Sequence, residues 1–254
     1  MTARYAIYFS PAPESPLDRV GTAWLGSDVP QRQLDGFSRE RIAEITASAR
    51  HYGYHATLKP PFALAADRTG AALDRMLGEF AGSRAPIDGL GLKVGSLDGF
   101  IALLLTDEST EVRNLATTCV RDFDSFRLAP SEEELRQRRS ASLSALEDAL
   151  LRRWGYPYVM EAFRFHMTLT TRIEREEHDR LLPLLRHMFG AVTNASFTLD
   201  AVSLFYQEAR DRPFRLIQRY PFAAESARSI ATKEAIDRVS GPSLTSVRTS
   251  SPST

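Results

Sequence analysis

The sequence predicts a mixed α+β fold in which one order of strands and helices occurs twice. Short aromatic and β-branched segments alternate with segments of helical periodicity, and the order strand, helix, strand, strand recurs after Gly155. The two halves share this order but little sequence identity, which is typical of a duplicated layout and not of a short tandem repeat. Hydrophobic residues form 43% and charged residues 25% of the chain, close to the averages for globular proteins, so a fibrous or wholly disordered chain is excluded.

In the first half, aromatic and β-branched runs without a breaker predict strands, and Pro60-Pro61 closes the second of them. A turn at Asp98-Gly99 connects the last two strands. Ser38 and Asp67 are candidate helix N-caps. The predicted strands are 4–10, 54–59, 87–95 and 99–106, and the predicted helices are 17–25, 38–50, one that begins after Asp67, and 108–125.

A charged segment, residues 129–155, separates the halves and is predicted to be a helical insertion. Ser131 followed by Glu134 matches a capping box, and leucines from Leu135 to Leu151 form one apolar stripe. The charged residues at its start are interpreted as a solvated helix face. Such an insertion can cover a cleft or mediate dimerisation.

The second half repeats the strand and helix order of the first. The predicted strands are 163–171, 196–206 and 213–220, and the predicted helix is 174–189. Residues 1–223 are therefore expected to form one domain. Residues 224–254 are rich in Ser, Thr and Ala, and we expect a poorly ordered tail there with a short helix near 228–238.

Two copies of a His-x-Thr-Leu tetrapeptide, beginning at His55 and His166, are the most informative feature of the sequence. Side chains of a strand alternate between faces, so each histidine shares a face with the threonine two residues later, Thr57 or Thr168. The same register places Thr170 on the face of His166. An imidazole changes charge near neutral pH, so two of them on opposite sides of a phosphate can act as general base and general acid. The threonine hydroxyls can hydrogen-bond its non-bridging oxygens.

Two cations near the motifs are weaker candidates for phosphate binding. Lys59 shares the face of His55, and Arg172 that of His166, if the strands continue that far. Each is equally well interpreted as a solvated charge at a strand end. Tyr8 of the first strand could line the same cleft or belong to the core.

Other polar residues do not predict a metal or cofactor site. His51 and His55 have a spacing found in helical zinc sites, but Tyr52-Gly53-Tyr54 between them disfavours a helix, and no acidic or cysteine ligand accompanies them. The single cysteine, Cys119, is interpreted as a buried thiol. We therefore expect neither a metal nor a cofactor.

Charge and the N-terminal sequence restrict the expected partners. The 32 basic and 32 acidic residues balance, so no overall field attracts long nucleic acid. The first residues lack the apolar run and cleavage site of a secretory signal, and no segment is predicted to span a membrane. We expect a cytoplasmic protein with a small phosphorylated substrate or an RNA end as partner. The oligomeric state is left open.

The two tetrapeptides resemble those of the 2H phosphoesterase superfamily, which includes RNA ligase-like cyclic phosphodiesterases. Three longer stretches are similar to a bacterial branch of that superfamily associated with phosphonate utilisation, and the similarity covers about residues 4–222. These stretches are Tyr52-Gly-Tyr-His-Ala-Thr-Leu-Lys-Pro-Pro-Phe62, Tyr156-Pro-Tyr-Val-Met-Glu-Ala-Phe-Arg-Phe-His-Met-Thr-Leu-Thr170 and Pro213-Phe-Arg-Leu-Ile-Gln-Arg-Tyr-Pro221. The motifs are farther apart than in compact relatives, which the insertion accounts for.

The resemblance implies an α+β, bilobal fold in which two antiparallel sheets face each other across a central cleft, with helices outside. The lobes correspond roughly to residues 1–128 and 156–223. It also implies that His55 and His166 are catalytic and that their threonines bind phosphate.

The reaction implied by the resemblance is metal-independent hydrolysis of a cyclic phosphodiester, with a cyclic ribosyl phosphate of phosphonate metabolism as one candidate substrate. Two alternatives stay open: a non-catalytic protein that binds a phosphorylated metabolite or an RNA end, and an RNA 2′,3′-cyclic phosphodiesterase. Fold-level analogy does not choose among these substrates.

Overall fold

The computed structural model describes residues 3–26, 28–30, 34, 36–139 and 143–223, without the side chains of residues 137 and 138. The tail predicted over 224–254, with its short helix, lies outside the described residues.

The described residues form nine strands and eight α-helices, which are numbered here in chain order. The strands are β1 (Arg4–Phe9), β2 (Ala56–Phe62), β3 (Ile87–Leu90), β4 (Leu92–Leu97), β5 (Phe100–Leu105), β6 (His166–Thr168), β7 (Phe197–Leu199), β8 (Ala201–Gln207) and β9 (Arg215–Pro221). The helices are α1 (Pro16–Leu25), α2 (Arg39–Tyr52), α3 (Gly70–Gly82), α4 (Thr110–Asp122), α5 (Glu132–Arg139), α6 (Ala145–Trp154), α7 (Arg175–Met188) and α8 (Gly190–Thr193).

A large antiparallel sheet and a small one confirm the predicted α+β class. The large sheet has the strand order β4-β5-β6-β2-β1-β8-β9, and β3 pairs with β7 in the small sheet. Strands from the two halves of the sequence interleave, because β1 pairs with both β2 and β8 and β6 pairs with β5. The predicted lobes, residues 1–128 and 156–223, therefore do not form separate sheets.

The junction between β2 and β6 lies in the middle of the large sheet and joins the two motifs. The pair of residues in register there is Ala56 and Met167, each the second residue of a His-x-Thr-Leu motif. In an antiparallel pair, this register puts Thr57 opposite His166 and His55 opposite Thr168. The strand pairing itself thus brings the motifs together, although they are far apart in the sequence.

The apolar side chains of both motifs are buried in the main hydrophobic cluster. Leu58, Met167 and Leu169 are at most 1% exposed. The buried indole of Trp24 in α1 donates a 2.8 Å hydrogen bond to the Leu169 carbonyl, which ties the second motif to that helix. These contacts hold the opposite, polar face of each motif in place.

The insertion consists of two helices instead of the single predicted one. Ser131 and Glu134 form the expected reciprocal capping contacts at the start of α5. A second capping box, Ser144 with Glu147, starts α6, and Gly155 ends it in the left-handed conformation with φ +75°. The Ser-x-x-Glu pattern at Ser144 is visible in the sequence and would have predicted this second start.

No helix within the described ranges combines the length and the apolar character needed to cross a bilayer.

Candidate active site

Both motifs line one open cavity of about 530 Å³ on the polar face of the β2 and β6 junction. His55, Thr57, His166 and Thr168 all contribute to its wall. The structure therefore brings together the four residues that the sequence analysis placed in one cleft. Their chemical roles stay predictions.

The His55 ring is fixed on three sides. Its Nδ1 lies 2.8 Å from the carbonyl oxygen of Gly53, so the proton resides on Nδ1 when the ring is neutral. Nε2 lies 3.1 Å from the hydroxyl oxygen of Thr57. The ring stacks on Tyr8 with centroids 3.7 Å apart and planes 22° apart. Tyr8 is 1% exposed and also lines the cavity, so it serves both as a core residue and as support for His55.

His166 is held in the same way as His55. Its Nδ1 lies 2.8 Å from the carbonyl oxygen of Arg164, which again is the residue two positions earlier. In both histidines the neutral ring therefore carries its proton on Nδ1 and keeps Nε2 as the basic atom. Both imidazoles line one cavity, and in each the Nδ1 contact leaves Nε2 as the atom that can exchange a proton.

Burial lowers the pKa of both histidines. The pKa of His55 falls from 6.5 to about 4, mainly because desolvation disfavours the imidazolium, with a smaller contribution from the nearby His166. The pKa of His166 is also lowered, by desolvation and by the Arg164 charge, while the Asp98 carboxylate opposes this shift. Both rings are accordingly neutral at pH 7 when the cavity holds no anion.

The Lys59 side chain does not share the face of His55, so that expectation was wrong. Lys59 is 1% exposed, and its Nζ donates a 3.0 Å hydrogen bond to the carbonyl of Val120 in α4 and lies 3.8 Å from Asp124 Oδ1. The pairing of β1 with β2 shifts register between Ile7, opposite Lys59, and Tyr8, opposite Thr57. This irregularity turns Lys59 into the interior, where desolvation lowers its pKa to about 8.

Thr170 was also expected on the histidine face and is buried instead. The regular strand ends at Thr168, and the amides of Leu169 and Thr170 both bond to the carbonyl of Ile101. The Thr170 hydroxyl then accepts a hydrogen bond from the Ile101 amide at 3.0 Å.

Arg172 lies beyond the end of β6 at Thr168, so the strand period does not place it on the face of His166. Both residues line a second cavity of about 220 Å³, which also touches Thr57. Phosphate binding by Arg172 stays a prediction. Aromatic rings that the sequence analysis did not assign to the site line this cavity: Phe100, Tyr156 and Tyr158. The phrase Tyr156-Pro157-Tyr158 closely precedes the second motif, and its two tyrosines beside a proline were the available signal in the sequence.

The remaining histidines and the cysteine lie outside the walls of the 530 Å³ cavity. His51 in α2 is half-buried and packs its Nε2 3.0 Å from the Gln207 side chain. His178 and His187 are both on α7. Cys119 is fully buried, and burial raises its thiol pKa to about 12, in agreement with an inert thiol. Among the described residues, no three His, Cys, Asp or Glu side chains converge as metal ligands do.

The chain belongs to the family described as "Protein of unknown function (DUF1045)", whose model matches residues 57–215. That span contains Thr57 and the complete second motif.

Two curated relatives carry the name ribose 1,5-bisphosphate phosphokinase PhnN. The relative from Janthinobacterium sp. (strain Marseille) is 36% identical over 236 residues, which are 89% of this chain and 52% of the relative. The relative from Laribacter hongkongensis (strain HLHK9) is 37% identical over 218 residues, or 84% of this chain and 50% of the relative. The chain thus spans about half the length of the curated relatives it matches.

Solved structures with a distantly similar fold include LigT of E. coli. Its complex with NADP+ has 12% sequence identity and a TM-score of 0.39, and covers 87% of this chain and 98% of LigT. Its complex with 3′-AMP has 14% identity and a TM-score of 0.40, and covers 88% of this chain and 99% of LigT. A structure described as a phosphoesterase has 12% identity and a TM-score of 0.38, and the match covers 88% of this chain and 99% of that chain.

Proposed function

We propose that this chain is a metal-independent phosphodiesterase that hydrolyses a cyclic phosphodiester to a phosphomonoester. The observation that carries the proposal is a cavity lined by two imidazoles and two threonine hydroxyls, in which a backbone carbonyl holds Nδ1 of each imidazole. One neutral and one protonated imidazole can supply both proton transfers of a phosphoryl displacement, the first as base and the second as acid. Hydroxyl donors at the non-bridging oxygens would stabilise the charge that develops there. Thr57 would turn its hydrogen from His55 Nε2 to the phosphate as the substrate binds.

The electrostatics favour His55 as the base and His166 as the acid. The pKa of His55 is lowered to about 4 without support from a carboxylate, so His55 is unprotonated and can accept the proton of an attacking water. His166 has the Asp98 carboxylate in its surroundings, which favours its protonated form when a substrate anion is also present. Water then forms the new P–O bond, and the ring oxygen leaves with the proton of His166.

A ribosyl cyclic phosphate is the proposed substrate, with phosphonate metabolism as the proposed setting. The curated relatives are named for a kinase of ribose 1,5-bisphosphate, and opening a cyclic diester on a phosphorylated ribose yields a ribose bisphosphate. The P-loop pattern G-x-x-x-x-G-K-[ST] does not occur in the 254 residues. This supports a hydrolytic step, and not the phosphorylation itself, for this half of the relatives.

A second candidate function is hydrolysis at the 2′,3′-cyclic phosphate end of RNA. The cavity of about 220 Å³ beside His166 favours it, because the rings of Phe100, Tyr156 and Tyr158 could stack on a nucleobase. A non-catalytic protein that binds either ligand would need the same cavity but no proton transfer.

In the test, ribosyl and nucleoside cyclic phosphates are incubated with the purified protein in the presence of EDTA, and the release of monoester is measured. We expect turnover of a ribosyl cyclic phosphate that EDTA does not reduce and that the double variant H55A/H166A loses. The variant H187A on α7 is the matched control and should retain the rate. Full activity of the double variant would refute the mechanism, loss on chelation would indicate a metal, and saturable binding without product would indicate a binding protein.

A further inference from the structure

Three arginine side chains line a small cavity next to the histidine cavity. Arg4 of β1, Arg127 and Arg210 contribute to the wall of this space of about 150 Å³. Arg4 and Arg210 also line the larger cavity that contains both histidines. The two cavities are therefore neighbours that share two cationic side chains. Together they offer one anionic group a separate place beside the reacting phosphate.

A buried glutamine fixes the side chain of one of these arginines and the backbone of another. Gln207 at the end of β8 has no exposed surface, and its Oε1 accepts a 2.8 Å hydrogen bond from Arg4 Nε. Its Nε2 donates to the carbonyls of Arg212 at 2.6 Å and Arg210 at 3.3 Å. A single amide thus orients the Arg4 guanidinium and the turn that carries Arg210. Such preorganisation is expected of a binding site and has no evident use on a solvated surface.

Arg4 lacks a carboxylate partner within the described residues, since its contacts are with Gln207, Tyr52 and the ring of Phe214. Burial and the neighbouring Arg210 charge lower the pKa of Arg4. Two like charges beside each other and partly desolvated are unfavourable unless an anion binds between them.

Arg127 contributes an unsatisfied donor. Asp124 holds its Nε at 2.8 Å and its Nη2 at 3.3 Å. Nη1 is buried and has no hydrogen-bond partner. A buried donor without a partner costs free energy. The Arg127 side chain also lines the small cavity, so its charge favours an anion there. Lys59 approaches the same Asp124 carboxylate from the protein interior.

One carboxylate does reach the small cavity, and it comes from the insertion. Glu134 of α5 forms an ion pair with Arg210 and is part of the cavity wall. Both side chains are well exposed, so this pair is weak and can exchange for a stronger anion. The Glu134 carboxylate thus marks a position beside Arg210 that suits an anionic group.

The spacing between the arginines and the histidines suits a small substrate. Arg4 and Tyr8 lie on one face of β1, four residues or about 13 Å of strand apart, and Tyr8 stacks on His55. Arg4 and Arg210 line the cavity that contains both histidines, so a small molecule with two phosphate groups can span the two sites.

We propose that Arg4, Arg127 and Arg210 form a second phosphate subsite, which holds a monoester phosphate on the 5-position of the ribose whose cyclic diester lies between His55 and His166. The subsite explains how the enzyme selects a doubly phosphorylated pentose over a plain cyclic phosphate. Substrate displaces Glu134 from Arg210 when its monoester binds. The assignment of the diester rests on the proposed function, whereas the binding of a phosphomonoester by the arginines does not.

The test measures the binding of ribose 5-phosphate by calorimetry at low salt, with ribose as the uncharged control. Ribose 5-phosphate has no cyclic diester, so the result does not depend on catalysis. We expect R4Q and R210Q each to weaken binding about tenfold, as the loss of a charge-assisted contact does. H55A/H166A should bind within about threefold of the wild type, and E134Q more tightly than it. R215Q, an exposed arginine of β9 that lines neither cavity, is the matched control.

Two results would overturn the subsite: unchanged binding in R210Q, or loss of binding in H55A/H166A with retention in R4Q and R210Q. The latter would put the monoester at the histidines. Weaker binding by E134Q would contradict the displacement of Glu134. Arg210 is exposed, so R210Q keeps the test decisive even if R4Q fails to fold. Arginine-dependent binding without any cyclic phosphate turnover would sustain the subsite and reject the proposed reaction.

Discussion

Replacement of Lys59 by methionine separates a structural role of this lysine from a role in substrate binding. In the wild type, the ammonium group lies in the interior, bonded to the Val120 carbonyl near the end of α4 and 3.8 Å from Asp124. Methionine has a similar length and no charge. K59M therefore removes the buried charge and leaves the wall of the histidine cavity as it is.

The pKa of Lys59 sets the expected magnitude. It falls from 10.5 to about 8, so carrying the charge in the folded protein at pH 7 costs about 3 kcal/mol relative to the unfolded chain. Between pH 8 and pH 10.5 the unfolded chain binds the lysine proton and the folded protein does not. The wild type therefore gains stability as pH rises through this window, by up to about 3 kcal/mol, and loses it again as pH falls through 8.

The assay is urea unfolding of wild type and K59M at several values between pH 7 and pH 10.5. The difference in unfolding free energy should move in favour of the wild type by about 3 kcal/mol across this range. At pH 7 the two proteins should be similar, or K59M slightly more stable, because the unpaired Val120 carbonyl offsets part of the gain. Turnover should change less than about twofold. A difference in unfolding free energy that does not change with pH would refute the buried-charge reasoning. A large loss of turnover would indicate that Lys59 acts in the active site.

Two further perturbations test the site and its support. The pH profile of kcat/KM should be bell-shaped with its maximum below pH 6.5. Its rising limb lies near pH 4, where His55 loses its proton, and its falling limb follows the lowered pKa of His166. A rising limb above pH 6.5 would contradict this assignment. Gly21→Ala should destabilise the protein by about 2 kcal/mol or more, because the new Cβ would lie 2.0 Å from the ring of the buried Tyr54, the residue before His55. Thermal unfolding measures this loss. The control is Gly82→Ala, where nothing lies within 4 Å of the new Cβ, and it should be neutral or mildly stabilising.

Local rules predicted the part of the site that lies within each motif. The alternation of side chains along a strand placed His55 with Thr57 and His166 with Thr168, and the structure has all four in one cavity. The capping box at Ser131 was equally local and is present. Such features depend on neighbouring residues alone, so the sequence contains them.

The same rules failed where the strands become irregular. The period of β2 predicts that Lys59 shares the face of His55, but a register shift against β1 turns it inward. The period of β6 predicts the same of Thr170 and His166, but that strand ends two residues before Thr170. Pro60-Pro61 predicts the end of β2, whereas the strand continues through both prolines to Phe62. These irregularities follow from pairing with other strands, which the period of one strand does not reveal.

The arginine cavity could not be predicted for a different reason. Arg4, Arg127 and Arg210 lie far apart in the sequence, in three segments without a shared motif. They meet because β1 pairs with β8 and because Gln207, opposite Arg4, holds the following turn. A net charge of zero likewise conceals such a local concentration of positive charge.

The central claim is that the two imidazoles act on one phosphorus atom, and a double-mutant cycle on turnover of a cyclic phosphate tests it most directly. If the histidines act as a unit, H55A and H166A each lower kcat by about a hundredfold or more, and the double variant is no slower than the slower single variant. Losses that simply multiply in the double variant, or a double variant as fast as the wild type, would contradict the claim that both rings serve the same reacting group.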